Sequence, residues 1–167
     1  MRQDNRGISL VEVMVVVAIM VVVGGIGIWS FNAMTGKPAQ QCAQKIVYSL
    51  ERHRTTAMGK LKAQYRLVEE NNKVYLEEYI GNDPDNPDAP PALSSRVEIG
   101  SSGVKVQYTM DANADLHDLP LTLEFDRSSG AFKQQPGGGY CTNIIVKRGG
   151  REHEVTLVPL TGKVYIK

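Results

Sequence analysis

Glu12 is the one charged residue between Ile8 and Phe31, a run of 24 residues. An ionised carboxylate in apolar surroundings is costly, so such a group either stays protonated or meets a cation supplied from elsewhere. Cys42 and Cys141 offer a second chemistry. They stand 99 residues apart, which excludes a CxxC redox pair, a zinc finger and a disulfide-dense scaffold. One disulfide between them and two buried free thiols both fit. Hard oxygen ligands occur twice. Asp111-Ala-Asn113-Ala-Asp115 has the opening of a calcium loop, and Asp83, Asp85 and Asp88 share a Pro-rich stretch. In the first, Leu116 replaces the turn Gly and Thr122 replaces the bidentate Glu. In the second, Asp-Pro turns form without a metal. Polar turns are therefore expected at both, calcium being the one metal these residues could suit, and no cofactor is expected. Lys147, Arg148 and Arg151 make a small basic tip whose field Glu152 and Glu154 weaken.

Catalytic order is not found. No Ser/His/Asp or Cys/His arrangement suggests a triad, and neither a phosphate-binding G-x-x-x-x-G-K-[ST] nor an H-E-x-x-H occurs. His53, His117 beside Asp118, and His153 between Glu152 and Glu154 are expected at the surface. An enzyme is not expected. A formal net charge of +1 over 167 residues argues against a nucleic-acid partner.

These residues need elements to position them. Ile8 to Phe31 is long enough as a helix, at about 1.5 Å per residue, to cross a bilayer core. Its flank, MRQDNRG, carries Arg2 and Arg6 against Asp4, which favours a cytoplasmic N-terminus and a translocated remainder. The run is longer than the core of a cleaved secretory signal, and no A-x-A site follows it. Gly24, Gly25 and Gly27 suit close helix packing or a segment able to melt. Gly36-Lys37-Pro38 is a break or kink. Beyond it Ala43, Ile46, Val47, Leu50, Ala57 and Leu61 recur at helical spacing, predicting an amphipathic helix from about Ala39 to Met58.

After Gly59 the period changes from 3.6 to 2. Ala63 to Val68 and Val74 to Tyr79 read as a hairpin around Glu70-Asn71-Asn72. Gly81 to Ser95, with four prolines, reads as an exposed loop. Val97 to Ile99, Val104 to Met110 and Leu121 to Phe125 follow as strands, with a short one near Ala131-Phe132. Cys141 to Lys147 and Glu154 to Val158 form a hairpin across Arg148-Gly149-Gly150, and Val164 to Ile166 ends the chain. The fold class is α+β: a long N-terminal helix whose second half packs on an antiparallel β-sheet head.

Arg6-Gly7-Ile8-Ser9-Leu10-Val11-Glu12-Val13 resembles the processing site of type IV pilins and type II secretion pseudopilins. The resemblance implies a leader over 1–7, a transmembrane and assembly helix over 8–36 and a pilin-like head over 37–167. It implies cleavage by a prepilin peptidase between Gly7 and Ile8, N-methylation of Ile8, and an assembly role for Glu12. Ile8 departs from the family's usual Phe. Phe125 with Gly130, Ile144 to Val146, and Thr161-Gly162-Lys163-Val164 further resemble the tail of H-type minor pseudopilins and FimT-like minor pilins. The partners implied are the peptidase, other pilins or pseudopilins in a filament, the inner membrane and an assembly platform. The head would lie outside the cytoplasm. Two other readings stand beside this one: a filament-tip protein that binds DNA, an adhesion ligand or a secreted substrate, and a plain single-pass anchored protein.

Overall fold

The computed structural model describes residues 10–35, 37–59, 63–81, 92–111 and 115–167, and within 23–35 the backbone alone. The chain divides into two units, Met1–Thr35 and Gly36–Lys167. The first contains helix α1, Leu10–Thr35, 26 residues. Its backbone stays helical through Gly24, Gly25 and Gly27. From Leu10 to Val22, where side chains are described, residues on every side of the helix are exposed. Among the described residues no helix is long and apolar enough to cross a membrane.

The second unit opens with α2, Lys37–Met58. Pro38 sits in its first turn, where a missing N–H costs nothing and the fixed φ is helical already. Ala39, Cys42, Ala43, Ile46, Leu50, His53 and Ala57 are its buried residues; apart from the adjacent Cys42 and Ala43 they are three or four apart, so they form one stripe. Gly59 ends the helix, its N–H reaching Thr55 O at 3.2 Å and Thr56 O at 3.0 Å.

Among the described residues nine strands follow: β1 Ala63–Glu70, β2 Lys73–Ile80, β3 Ala92–Gly100, β4 Lys105–Met110, β5 Leu116–Asp118, β6 Leu121–Glu124, β7 Cys141–Arg148, β8 Arg151–Val158 and β9 Lys163–Ile166. The expected antiparallel β head is built as two sheets. One has the order β3-β2-β1-β6, the other β5-β4-β7-β8-β9, and every pairing is antiparallel. The chain fills the first sheet through β3, crosses to the second for β4 and β5, returns for β6, and finishes in the second. Periodicity along a strand reports that one face is buried, and says nothing of which strand lies beside it. That is why the split was hidden.

Two tight hairpins fix register. Asn71 and Asn72 (φ 52° and 59°) turn β1 into β2, so that Glu70 faces Lys73. Gly149 and Gly150 (φ 56° and 78°) turn β7 into β8. Paired left-handed residues suit the right-handed twist of the flanking strands, and Asn and Gly tolerate them best. Both sheets and α2 share one core, in which Tyr65, Leu67, Val74, Leu76, Val106, Leu121, Leu123, Ile144, Val146, Val155 and Leu157 meet the α2 stripe. The helix packs against β1 and β3 of the first sheet and β7, β8 and β9 of the second. Side chains tie it down: Tyr65 Oη donates to Ser49 O at 3.0 Å, and Arg54 Nε to Gly130 O at 3.2 Å.

Several expectations change. Residues 92–95, expected in a loop, open β3, because the ladder to β2 runs on through Tyr79↔Leu93 and Ile80↔Ala92. The short β5 was not expected; three exposed residues give no alternation to see, and it exists by pairing with β4. β8 begins at Arg151 rather than Glu154, since the two-residue turn brings Arg148 opposite Arg151 at once. The short strand near Phe132 is one bridge, Phe125↔Phe132.

Candidate functional site

Glu12 lies in the first turn of α1. Glu12 is exposed, and so are Leu10, Val13, Met14, Val17 and Ala18, which recur on one face at three- and four-residue spacing. Leu10 is 77% and Met14 69% exposed. A surface of this kind is unsatisfied in an isolated chain and calls for apolar surroundings. The cleavage and methylation residues, Gly7 and Ile8, lie outside the described residues.

The head places the other candidates. Cys42 and Cys141 are both buried and both free. Cys42 faces the end of the first sheet, at Val74 and Gly100, while Cys141 opens β7 of the second and its thiol reaches back to Asn143 O at 3.8 Å. Burial pushes the Cys42 thiol up to about 12, with Lys45 opposing weakly, and burial pushes Cys141 up to about 12 as well. Both are held as thiols, packed as small apolar groups.

Asp111, expected in a polar turn, is held by the backbone of Tyr140. Asp111 adopts φ 48°, and its Oδ1 accepts from Tyr140 N at 2.9 Å while its own N–H donates to Tyr140 O at 2.7 Å. The carboxylate is engaged by backbone. Asp115 is described and exposed, whereas Asn113 and Asp83, Asp85 and Asp88 lie outside the described residues. Among the described residues no group of three His, Cys, Asp or Glu side chains could hold a metal ion. Another carboxylate, Asp126, opens the turn expected from Asp126 to Gly130 and caps it. Its Oδ1 accepts from Ser128 N (3.1 Å), Ser128 Oγ (2.6 Å), Ser129 N (3.0 Å) and Ser129 Oγ (2.8 Å). Those donors, the Ser128 hydroxyl first, hold its carboxyl well below the usual carboxylate range.

His53 was expected at the surface and is 1% exposed. The signal was present: His53 is three residues after Leu50 and four before Ala57, on the stripe. Its ring stands edge-on to Tyr65, and Nε2 lies 2.7 Å from Glu78 Oε1 on β2. The alignment does not make a hydrogen bond, and Nδ1 has no partner either. Burial first, and Arg52 second, lower the imidazole from its ordinary 6.5 to about 3. An ionised Glu78 pulls the other way, but the ring has almost no access to water, so desolvation decides and His53 is neutral at physiological pH. Glu77, the preceding residue of β2 and so on its other face, accepts from Tyr79 Oη at 3.0 Å and lies 3.6 Å from Arg96 Nε. His53 and Glu78 make a polar contact between helix and sheet, without a nucleophile.

The basic tip is more organised than a solvated turn. Lys147 Nζ pairs with Glu152 Oε2 at 3.2 Å, and Arg148 donates to Ser101 Oγ at 3.1 Å. His117 stacks on Tyr108, and His153 stands half-buried opposite Val146.

Residues 2–28 match the family model described as the prokaryotic N-terminal methylation motif. The match takes in the basic flank, Gly7, Ile8, Glu12 and most of the apolar run, and none of the head. The chain therefore carries a prepilin-type signal at its N-terminus. No curated protein and no solved structure gives a significant match.

Proposed function

We propose that the protein is a pilin-like subunit, a minor pilin or pseudopilin. In this reading a prepilin peptidase cuts it after Gly7, it is N-methylated at Ile8, and it is held in the inner membrane by the 8–31 segment before joining a pilus-like or type II secretion filament. The single observation that carries this is the matched signal at residues 2–28, with Glu12 four residues beyond Ile8 in an otherwise uncharged run. The α+β architecture, a helix on antiparallel sheets, supports it. The role is mechanical rather than catalytic: apolar helices bundle along the filament and heads cover it. Cleavage leaves a new amine at Ile8, and Glu12 of a neighbouring subunit is its counter-charge. In low dielectric an unpaired partner is costly even where the pair itself adds little, so the contact selects stagger. The tail residues Thr161-Gly162-Lys163-Val164 favour an H-type minor subunit.

The test is processing. The full-length protein is produced with and without a prepilin peptidase, and its N-terminus is sequenced. The expected mature start is Ile8, and Gly7→Leu blocks the cut. A start elsewhere, or no dependence on the peptidase, overturns the reading in favour of a plain anchored protein.

A further inference from the structure

The outer face of the first sheet carries a hollow of about 210 Å³, lined by Gln64 of β1, Thr122 and Glu124 of β6, and Gln134, Gln135 and Pro136 of the segment that follows. Register puts the three strand residues on one face. Tyr65, Leu67, Leu121 and Leu123 are buried in the core, so the alternate residues Gln64, Thr122 and Glu124 turn the other way. Gln64 stands directly opposite Glu124 across β1 and β6. The side chains agree, since Gln64 Nε2 donates to Glu124 Oε1 at 3.0 Å.

Hydrogen bonds build the wall of the hollow. β6 is the last strand of its sheet. Lys133 N donates to Glu124 O at 2.9 Å and Gln135 Nε2 to Thr122 O at 2.7 Å, so the following segment runs along that edge. The segment is also closed on itself: Gln135 N donates to Gly139 O at 3.0 Å, and Gly138 N to Gln135 O at 2.8 Å. An edge covered in this way does not take an added strand, which argues against an extended peptide as the occupant.

The chemistry left to a ligand is that of acceptors without excess charge. Glu124 Oε1 is held by Gln64, and Oε2 by Lys133 Nζ at 3.2 Å. The carboxylate is thereby fixed in orientation, and the ammonium beside it offsets its charge. Each carboxylate oxygen keeps a lone pair, and the amide oxygens of Gln64 and Gln135 and the Thr122 hydroxyl stand with them. A fixed carboxylate can accept from two adjacent hydroxyls at once. Pro136 adds one apolar wall.

We propose that this hollow binds a neutral saccharide through one ring, with two vicinal hydroxyls donating to Glu124 and others meeting Gln64, Gln135 and Thr122. A hydroxyl both donates and accepts, and it brings no charge to compete with Lys133. The hollow is smaller than sites that bury a whole drug-sized ligand, about 300 Å³ or more, which suits a single ring of a longer glycan. The proposal concerns the head alone and stands independently of the filament reading.

Full-length ¹⁵N-labelled protein in a zwitterionic, sugar-free detergent tests it. The methyl glycosides of glucose, galactose, mannose and N-acetylglucosamine are titrated singly. Cyclohexanol, a ring without vicinal hydroxyls, and methylguanidinium, a cationic donor, are the controls. At least one glycoside is expected to give a saturable shift of the Gln64, Gln134 and Gln135 side-chain amides. Its affinity should not change between about 0.05 and about 0.5 M salt, because a neutral ligand is not screened. Glu124→Gln should weaken binding about tenfold and Thr122→Val, which keeps the side-chain shape, about fivefold. Lys163→Gln on β9 should leave it unchanged. If Glu124→Gln disturbs the fold, Thr122→Val alone decides. The proposal is overturned by no saturable shift with any of the four glycosides, by an equal response to cyclohexanol, by tighter binding of methylguanidinium that falls with salt, by shifts confined to other residues, or by unchanged affinity in the folded site variants.

Discussion

The two helices of this chain are similar in length and opposite in what their side chains do. α1 and α2 have 26 and 22 residues. In α1 every side chain described from Leu10 to Val22 is exposed. α2 carries lysine, glutamine and arginine along most of its surface, yet seven of its residues are buried on one stripe by both sheets. Composition alone would have ranked them the other way, with the greasier helix in the core. Burial follows where apolar groups sit around the axis and what the fold sets against them. An amphipathic helix completes its own domain. The side chains of α1 described from Leu10 to Val22 stay exposed, without that cover.

The contrast is tested hardest at matched positions. Leu50→Ala in α2 empties a fully buried site and should cost the head about 3 kcal/mol, whereas Val17→Ala in α1 should move head unfolding by less than about 0.5 kcal/mol. Urea unfolding of the full-length protein, followed by tyrosine circular dichroism, reads both. Equal effects would erase the distinction between the helices.

His53 sharpens it, because it is the member of the buried stripe whose titration falls in the acid range. The folded imidazole titrates near 3 and the unfolded one near 6.5. Between those values the unfolded chain holds the extra proton. Stability is therefore full above about pH 6.5 and falls as pH drops toward 3, by at most about 1.4 kcal/mol per pH unit. Glu78→Gln removes the facing carboxylate and should keep this acid slope, while His53→Leu added to Glu78→Gln should flatten it. If the slope survives in the double variant, burial of His53 is not its source.

Glu12→Ala has the smallest expected effect on the head: unfolding unchanged and cleavage after Gly7 retained. Its effect lies in assembly, as loss of co-fractionation with sheared filaments or partner pseudopilins. Equal recovery of variant and wild type would return α1 to a plain anchor.

What was legible in the sequence follows the same division. The hairpins were readable because Asn71-Asn72 and Gly149-Gly150 announce left-handed turns, and the α2 stripe because its spacing is regular. His53 was readable by position and was misplaced by residue type: histidine is usually wet, and periodicity carried the stronger information. The partition into two sheets and the pairing of β5 depend on contacts distant in sequence, for which no local pattern stands. The basic tip was visible as three residues. That Lys105 stands opposite Lys147 was not, because it comes from a strand about forty residues earlier and pairs through the β4–β7 register alone.

The cover of α2 also sets an order in time. The helix is the first element of the head to be synthesised, and it packs on β1 and β3 as well as on β7, β8 and β9. While the chain grows from its N-terminus, Ile46 and Leu50 can meet the first sheet early, but their remaining cover begins only at Cys141. The head cannot close on its own helix until nearly the whole chain has emerged, so a nascent or truncated chain presents that stripe to whatever surface or chaperone is nearest.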